Sequence, residues 1–320
     1  MPFQPETQEW AGESAVLLVH GIGNAAVGDY ADVAREVKDS LGADAKCAVY
    51  ELFYDVFNDW FKEKTQFAKQ IGMLTKLVRS RQPDGQLAET VAEFAGDVVW
   101  PLFSTAARAA VRTAFTAQLR QMMIDGMTST GKVPGELRFS IICHSLGCLH
   151  TYEGLHAMAS DPALNLRPFT DGLRFRSVVF MASPVQLIRT LGLSGGGLVP
   201  EGLASLSATG LAIPFETAMG RPHKSARRWV SVTGDLDPVG GHFLRKKEDW
   251  AYMNVVDADA VAIVDRQNLI AGGDDRGNLL SILRQSLSQH KAPTITAENP
   301  HSWIGYVQRH RSDLGQWLLT

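Results

Sequence analysis

Ile141-Ile142-Cys143-His144-Ser145-Leu146-Gly147 is an apolar, partly β-branched run that ends abruptly in a small nucleophile followed by a glycine. The run suits a buried strand, and Ser-x-Gly suits a sharp passage from that strand into a helix. At such a turn the serine hydroxyl stands at the sheet edge, and the next helix N-terminus directs positive charge at an anion developing there. The common form of the turn is Gly-x-Ser-x-Gly; here Cys143 occupies the first position, where a small residue is needed for close packing. The plain alternative is an ordinary turn serine capping a helix.

Working outward, Leu137 to Cys143 reads as the strand leading into Ser145, and the helix after it carries Leu149, Tyr152, Leu155 and Met158. Upstream, Ser14-Ala15-Val16-Leu17-Leu18-Val19 is a continuous apolar run, the mark of a strand covered on both faces, and it ends in His20-Gly21-Ile22-Gly23. Asp29 can cap a helix in which Val33, Val37 and Leu41 recur, with Gly42 at its C-cap; Ala48 to Phe53 is then a second strand. Downstream, Phe175 to Met181 is a strand ending in Ala182-Ser183-Pro184. Trp229 to Thr233 is another, broken at Gly234-Asp235-Leu236-Asp237-Pro238-Val239, and Ala260 to Val264 is a last one before a helical run to Leu319. Strands alternating with helices predict an α/β fold, a mainly parallel sheet with helices on both faces.

Two stretches interrupt this alternation. From Tyr54 to Pro134 the strand signal disappears, and Phe57, Trp60, Phe61, Phe67, Ile71 and Leu74, then Val111, Phe115, Leu119 and Met122, recur at helical spacing. A simple crossover needs far fewer residues, so residues 54–134 read as a helical insertion, either packed on the core or, given Trp60 and Trp100, serving as a lid over an apolar pocket. Residues 184–228, with Gly195-Gly196-Gly197, read as a Gly-rich cap loop with short helices. Both lie between sheet strands, so residues 1–320 are expected to form a single domain with inserts.

Composition narrows the chemistry. A net charge of −3 over 320 residues gives no basic footprint for nucleic acid. Three cysteines, Cys47, Cys143 and Cys148, read as buried free thiols in a reducing compartment. The first dozen residues lack a basic segment followed by an apolar one, so a signal peptide is not expected and the cytoplasm is the expected location. Thr190 to Phe215, the longest nearly uncharged stretch, falls short of the ~20 continuous apolar residues of a transmembrane helix. No ligand cluster with zinc spacing occurs, so neither metal nor organic cofactor is implied.

A serine hydroxyl is a weak nucleophile near neutral pH and needs an adjacent base, which needs an orienting carboxylate. After Ser145 the chain offers Asp235 and Asp237 at the end of a strand, then His290, His301 and His310, so the order Ser, Asp, His is available. With these motifs the chain resembles the α/β-hydrolase superfamily, in particular its serine esterase and lipase branch with a His-Gly pair after the first clear strand. His20-Gly21-Ile22-Gly23 matches the oxyanion loop, Cys143 to Gly147 the nucleophile turn, Gly234 to Val239 the acid turn and His301-Ser302-Trp303 the histidine loop. The resemblance spans Ser14 to the last helix but not the insertions. It implies Ser145 as nucleophile, His301 as base, and backbone N–H groups of Ile22 and Leu146 as oxyanion donors. His20, Gly21, Gly23 and Gly147 would shape the loops. In that family the acid lies three residues after the strand-ending glycine, so the resemblance favours Asp237 and leaves Asp235 as a turn residue, and His310 is expected to be a solvated helix residue.

The implied reaction is ester hydrolysis through an acyl-serine. Insertions rich in Leu, Phe and Met suggest a small-molecule or lipid substrate with a hydrophobic acyl chain, and are compatible with peripheral membrane contact. Two other readings compete. Gly21-x-Gly23-x-x-Ala26, with Glu51 as a ribose ligand, also fits a dinucleotide-binding fingerprint, though that leaves Ser145, the acid turn and His301 unexplained. A non-catalytic hydrolase-like binding protein is the other. Oligomeric state is not legible.

Overall fold

The computed structural model describes residues 9–21, 30–42, 45–52, 54, 105–160, 175–184, 214–216, 222–224, 226–234, 258–266 and 302–319. The described strands are β1 (Ser14–Val19), β2 (Cys47–Leu52), β3 (Arg138–His144), β4 (Phe175–Met181), β5 (Pro214–Glu216), β6 (Pro222–Lys224), β7 (Ala226–Gly234) and β8 (Ala258–Arg266). Six of them form one parallel sheet in the order β2-β1-β3-β4-β7-β8, while β5 and β6 make a separate antiparallel pair. The described helices are α1 (Ala31–Leu41), α2 (Thr105–Thr130), α3 (Leu146–Ser160), α4 (Trp303–Arg309) and α5 (Arg311–Leu319).

Alternation along β1 explains why its sequence is apolar throughout. Ala15, Leu17 and Val19 enter the core beneath α2 and α3, whereas Val16 and Leu18 enter the core beneath α1, α4 and α5. Connection handedness accounts for this division. The chain passes from β1 outward to β2 through α1, then reverses across the sheet to β3 and β4, and a crossover of constant right hand must change faces when its direction reverses. The result is a parallel α/β sheet covered on both faces.

The two faces close differently. Val111, Phe115, Leu119 and Met122 of α2 pack into one core with Leu149, Tyr152 and Leu155 of α3, so this part of the 54–134 stretch is core. Trp60 and Trp100, on which the lid reading rested, lie outside the described residues. On the other face Val33, Val37 and Leu41 of α1 meet Trp303, Tyr306, Leu314 and Trp317 of α4 and α5.

Several expectations are corrected in detail. β7 starts at Ala226, so the end of the 184–228 cap belongs to the sheet. The described part of that cap also holds β5 and β6, whose three residues each are too short to show a period, while most of the stretch expected to carry short helices lies outside the described residues. Asp29 lies outside the described residues; the N-cap of α1 is Tyr30, which makes no side-chain cap bond and instead stacks its ring near His20. The terminal helical run is broken at His310, which is not solvated but 1% exposed. It sits at the junction of α4 and α5, its ring 5.6 Å from that of Trp317 and its Nδ1 3.5 Å from Asp313 Oδ2. All three thiols are free. Cys143 and Cys148 are buried as expected, whereas Cys47 is only partly buried, though burial still pushes its thiol up to about 12. No helix among the described residues is long and apolar enough to cross a membrane.

Candidate active site

Because the six strands run parallel, their carboxyl ends share one edge, and the order reverses between β1 and β3. Open α/β sheets bind ligands in the crevice at such a reversal, outside the carboxyl ends of the strands. His20 and Gly21 follow β1 there, and Ser145 follows β3.

Ser145 is the single residue between β3 and α3, and its φ is +53°. A side chain in that region costs about 1–2 kcal/mol, so the backbone is held there by its surroundings. Its N–H donates to the Met181 carbonyl at 3.0 Å, carrying the β3–β4 ladder one residue past the strand, and its own carbonyl accepts from Cys148 N–H at 3.0 Å in the first turn of α3. The Ser145 N–H is thereby committed to the sheet. Behind the hydroxyl, α3 presents its N-terminus.

Two glycines make room for this turn. A Cβ on Gly147 would collide with the backbone carbonyls of Val19 and His20, so α3 leaves the elbow against the end of β1. A Cβ on Gly21 would stand 2.7 Å from Ser145 Cβ and 3.2 Å from its Oγ, so the His-Gly loop lies directly against the serine side chain. Cys143 is fully buried, with its Sγ 3.4 Å from the Val179 carbonyl, and the turn is tight despite the missing first glycine. On the neighbouring strand end, Ala182 also has φ +53°, and its N–H donates to the Val232 carbonyl at 3.0 Å.

Aromatic rings pack around these loops. The His20 ring lies parallel to Tyr54 at 4.3 Å and 3°, and near-parallel to Tyr30 at 5.0 Å. Tyr30 meets Trp303 at 5.0 Å, and Trp303 lies parallel to His144 at 5.8 Å and 9°. Burial pushes the His20 imidazole down to about 4, opposed by its hydrogen bond to the Gly21 carbonyl. The ring is therefore neutral at physiological pH. With Nδ1 only 2.7 Å from that carbonyl oxygen, Nδ1 carries the hydrogen.

Of the residues singled out from sequence, Ser145, Leu146, Gly147, His20 and Gly21 come together at this edge. Ile22, Gly23, Asp235, Asp237 and His301 lie outside the described residues. Their described neighbours are placed at the same edge: β7 ends at Gly234, and Ser302 caps α4 by accepting from Gly305 N–H at 3.4 Å, with Trp303 against His144. Sequence reasoning missed Tyr54, Tyr30 and Ala182, since a lone aromatic or alanine beyond a strand carries no periodic signal. Among the described residues no group of three or more His, Cys, Asp or Glu could hold a metal ion.

No family model matches the chain, and no curated protein matches it. Among solved structures it is similar to a carboxylesterase from Mesorhizobium loti, with a TM-score of 0.34 and 12% identity over 87% of this chain and 90% of that one. Est1E from Butyrivibrio proteoclasticus gives 0.34 and 10% over 81% and 80%. The siderophore hydrolase EstB from Aspergillus nidulans gives 0.34 and 11% over 93% and 87%.

Proposed function

We propose that this chain is a serine hydrolase that cleaves carboxylic esters through an acyl-serine intermediate. The observation that carries the reading is Ser145 itself, a non-glycine residue at φ +53° between a parallel strand and a helix N-terminus, with Gly21 against its side chain at the sheet's switch point. Backbone strain of this kind persists where surrounding structure enforces it, and it gathers at functional sites. A helix-capping serine needs no such conformation.

In the proposed mechanism Ser145 Oγ attacks the ester carbonyl while His301 takes its proton, and Asp237 orients the imidazole. The tetrahedral oxyanion is stabilised by the N–H groups of Leu146 and Ile22. Commitment of the Ser145 N–H to Met181 supports this division, because the first donor beyond it on the chain is Leu146. His301 then protonates the departing alcohol, and water releases the acyl group by the reverse sequence. Trp303 beside His144 supports His301, which precedes it by one residue of cap, and the end of β7 at Gly234 supports an acid just beyond it, Asp237 or its alternative Asp235.

The absent side chain of Gly21 is matched to Ser145, which supports an esterase site over a dinucleotide loop, where glycine makes room for pyrophosphate. For the substrate, Ser145 is 2% exposed, and the flanking insertions are rich in Leu, Phe and Met. Both features favour a hydrophobic acyl chain, as in lipid-ester metabolism, bound under cover from water. A chain-length series of p-nitrophenyl esters tests this: activity is expected to rise with acyl length from acetate, and a preference for acetate alone would refute the hydrophobic assignment.

A further inference from the structure

We infer that Tyr54 is a positioning residue for the oxyanion loop, its phenol fixing the peptide plane that follows Gly21; the inference rests on the esterase reading above. Tyr54 follows β2, the strand beside β1, and is fully buried. Its hydroxyl lies 2.7 Å from the His20 carbonyl oxygen and 2.7 Å from the Gly21 carbonyl oxygen, so one O–H is shared between two successive carbonyls. The Gly21 carbonyl also accepts from His20 Nδ1–H at 2.7 Å. Two donors therefore hold this carbonyl, and one of them also bridges to the peptide before it.

A trans peptide unit is planar, with its C=O and N–H pointing in opposite directions. A Gly21 carbonyl held toward Tyr54 therefore restrains rotation of that plane and of the N–H that shares it. That N–H is the one assigned to the oxyanion hole. A flip of the plane would exchange a donor for a carbonyl lone pair, turning stabilisation of the developing anion into repulsion. Tyr54 is itself locked, its ring parallel to His20 at 4.3 Å and T-shaped to His150 at 4.6 Å and 71°. Gly21 lacks a side chain to restrain its own rotation, which is why an external restraint matters here. The phenol contacts no reacting atom and acts only through the loop.

The test is Tyr54→Phe, which keeps both ring contacts and removes only the hydroxyl. With p-nitrophenyl butyrate as substrate, kcat is expected to fall about 10- to 100-fold with KM within about twofold, since the lost alignment matters only once the oxyanion forms. The inhibition constant of an alkyl trifluoromethyl ketone, whose adduct with Ser145 carries an oxyanion, is expected to rise by the same factor as kcat/KM falls. Incorporation of 3-fluorotyrosine at position 54, which retains the donor, is expected to restore wild-type kcat. A Tyr54→Phe protein with unchanged kcat, or with unchanged ketone affinity, overturns the inference, as does failure of the fluorotyrosine protein to regain kcat. Wild-type protein that a fluorophosphonate does not label overturns the esterase reading and this inference together; labelled wild type with a fully active Tyr54→Phe overturns this inference alone.

Discussion

At the residue scale, Ser145 carries backbone strain, as Ala182 does on the neighbouring strand end. With φ at +53°, any residue with a Cβ is disfavoured there and glycine is not. Ser145→Gly is therefore expected to be more stable than Ser145→Ala by about 1 kcal/mol, read as a shift in the urea midpoint; equal midpoints would mean that the positive φ is not enforced. Both variants should be inactive, so stability and function part company at this position. Gly147 makes the converse point. Its missing Cβ faces the backbone carbonyls of Val19 and His20, which cannot rotate aside as a side chain could. Gly147→Ala is expected to cost about 2–3 kcal/mol in urea unfolding, with ester hydrolysis lost as α3 is pushed from β1. A Gly147→Ala protein of wild-type stability would refute the close approach.

At the element scale, α2 is tied to β2 by a buried polar chain. Trp10 Nε1–H donates to the Tyr50 hydroxyl at 2.7 Å, that hydroxyl donates to Asp125 Oδ2 at 2.9 Å, and Gln121 Nε2 donates to Asp125 Oδ1 at 2.7 Å. Asp125→Ala strands the buried Tyr50 hydroxyl and the partly buried Gln121 amide, and is expected to destabilise by about 1–3 kcal/mol; a change below about 0.5 kcal/mol would mean that the network is not what fixes α2. The sheet was legible in sequence for a physical reason. Strands such as Ser14–Val19 and Phe175–Met181 are covered on both faces, so each carries a continuous apolar run, Ala15 to Val19 in one and Val178 to Met181 in the other, and their limits are as read. The pair β5 and β6 escaped because three residues cannot display a period. Of the site, the Ser145 turn and the His-Gly loop were legible through small residues at fixed spacing. The ring assembly of Tyr54, Tyr30 and Trp303 was not, since its members come from three distant segments that only the folded sheet brings together. His310 failed for a related reason: helical spacing cannot reveal a break that turns one residue into the core.

At the scale of the whole molecule, the site imposes a pH-dependent cost on stability. His20 binds its proton with a pKa of about 4 in the fold, against about 6.5 in an unfolded chain. Between these values the unfolded chain holds a proton that the fold does not, so stability rises with pH through the window and is lost as pH falls from about 6.5 to about 4. Burial is the dominant cause, and the loss amounts to about 3 kcal/mol once both limits are passed. Replacing His20 with Asn is expected to flatten this part of the stability profile in urea titrations at stepped pH; an unchanged slope would place the acid sensitivity elsewhere. Activity should fall in the same direction for a separate reason, protonation of the base proposed at His301, and that loss should precede unfolding. The central claim, however, is that one sheet edge converts Ser145 into a nucleophile. The most direct measurement is labelling of the folded protein with a fluorophosphonate, followed by mass spectrometry of the modified peptide. Near-stoichiometric modification at Ser145, absent from Ser145→Ala and from heat-unfolded protein, is the expected result. A folded wild-type protein that remains unmodified, or is modified at another residue, would contradict it.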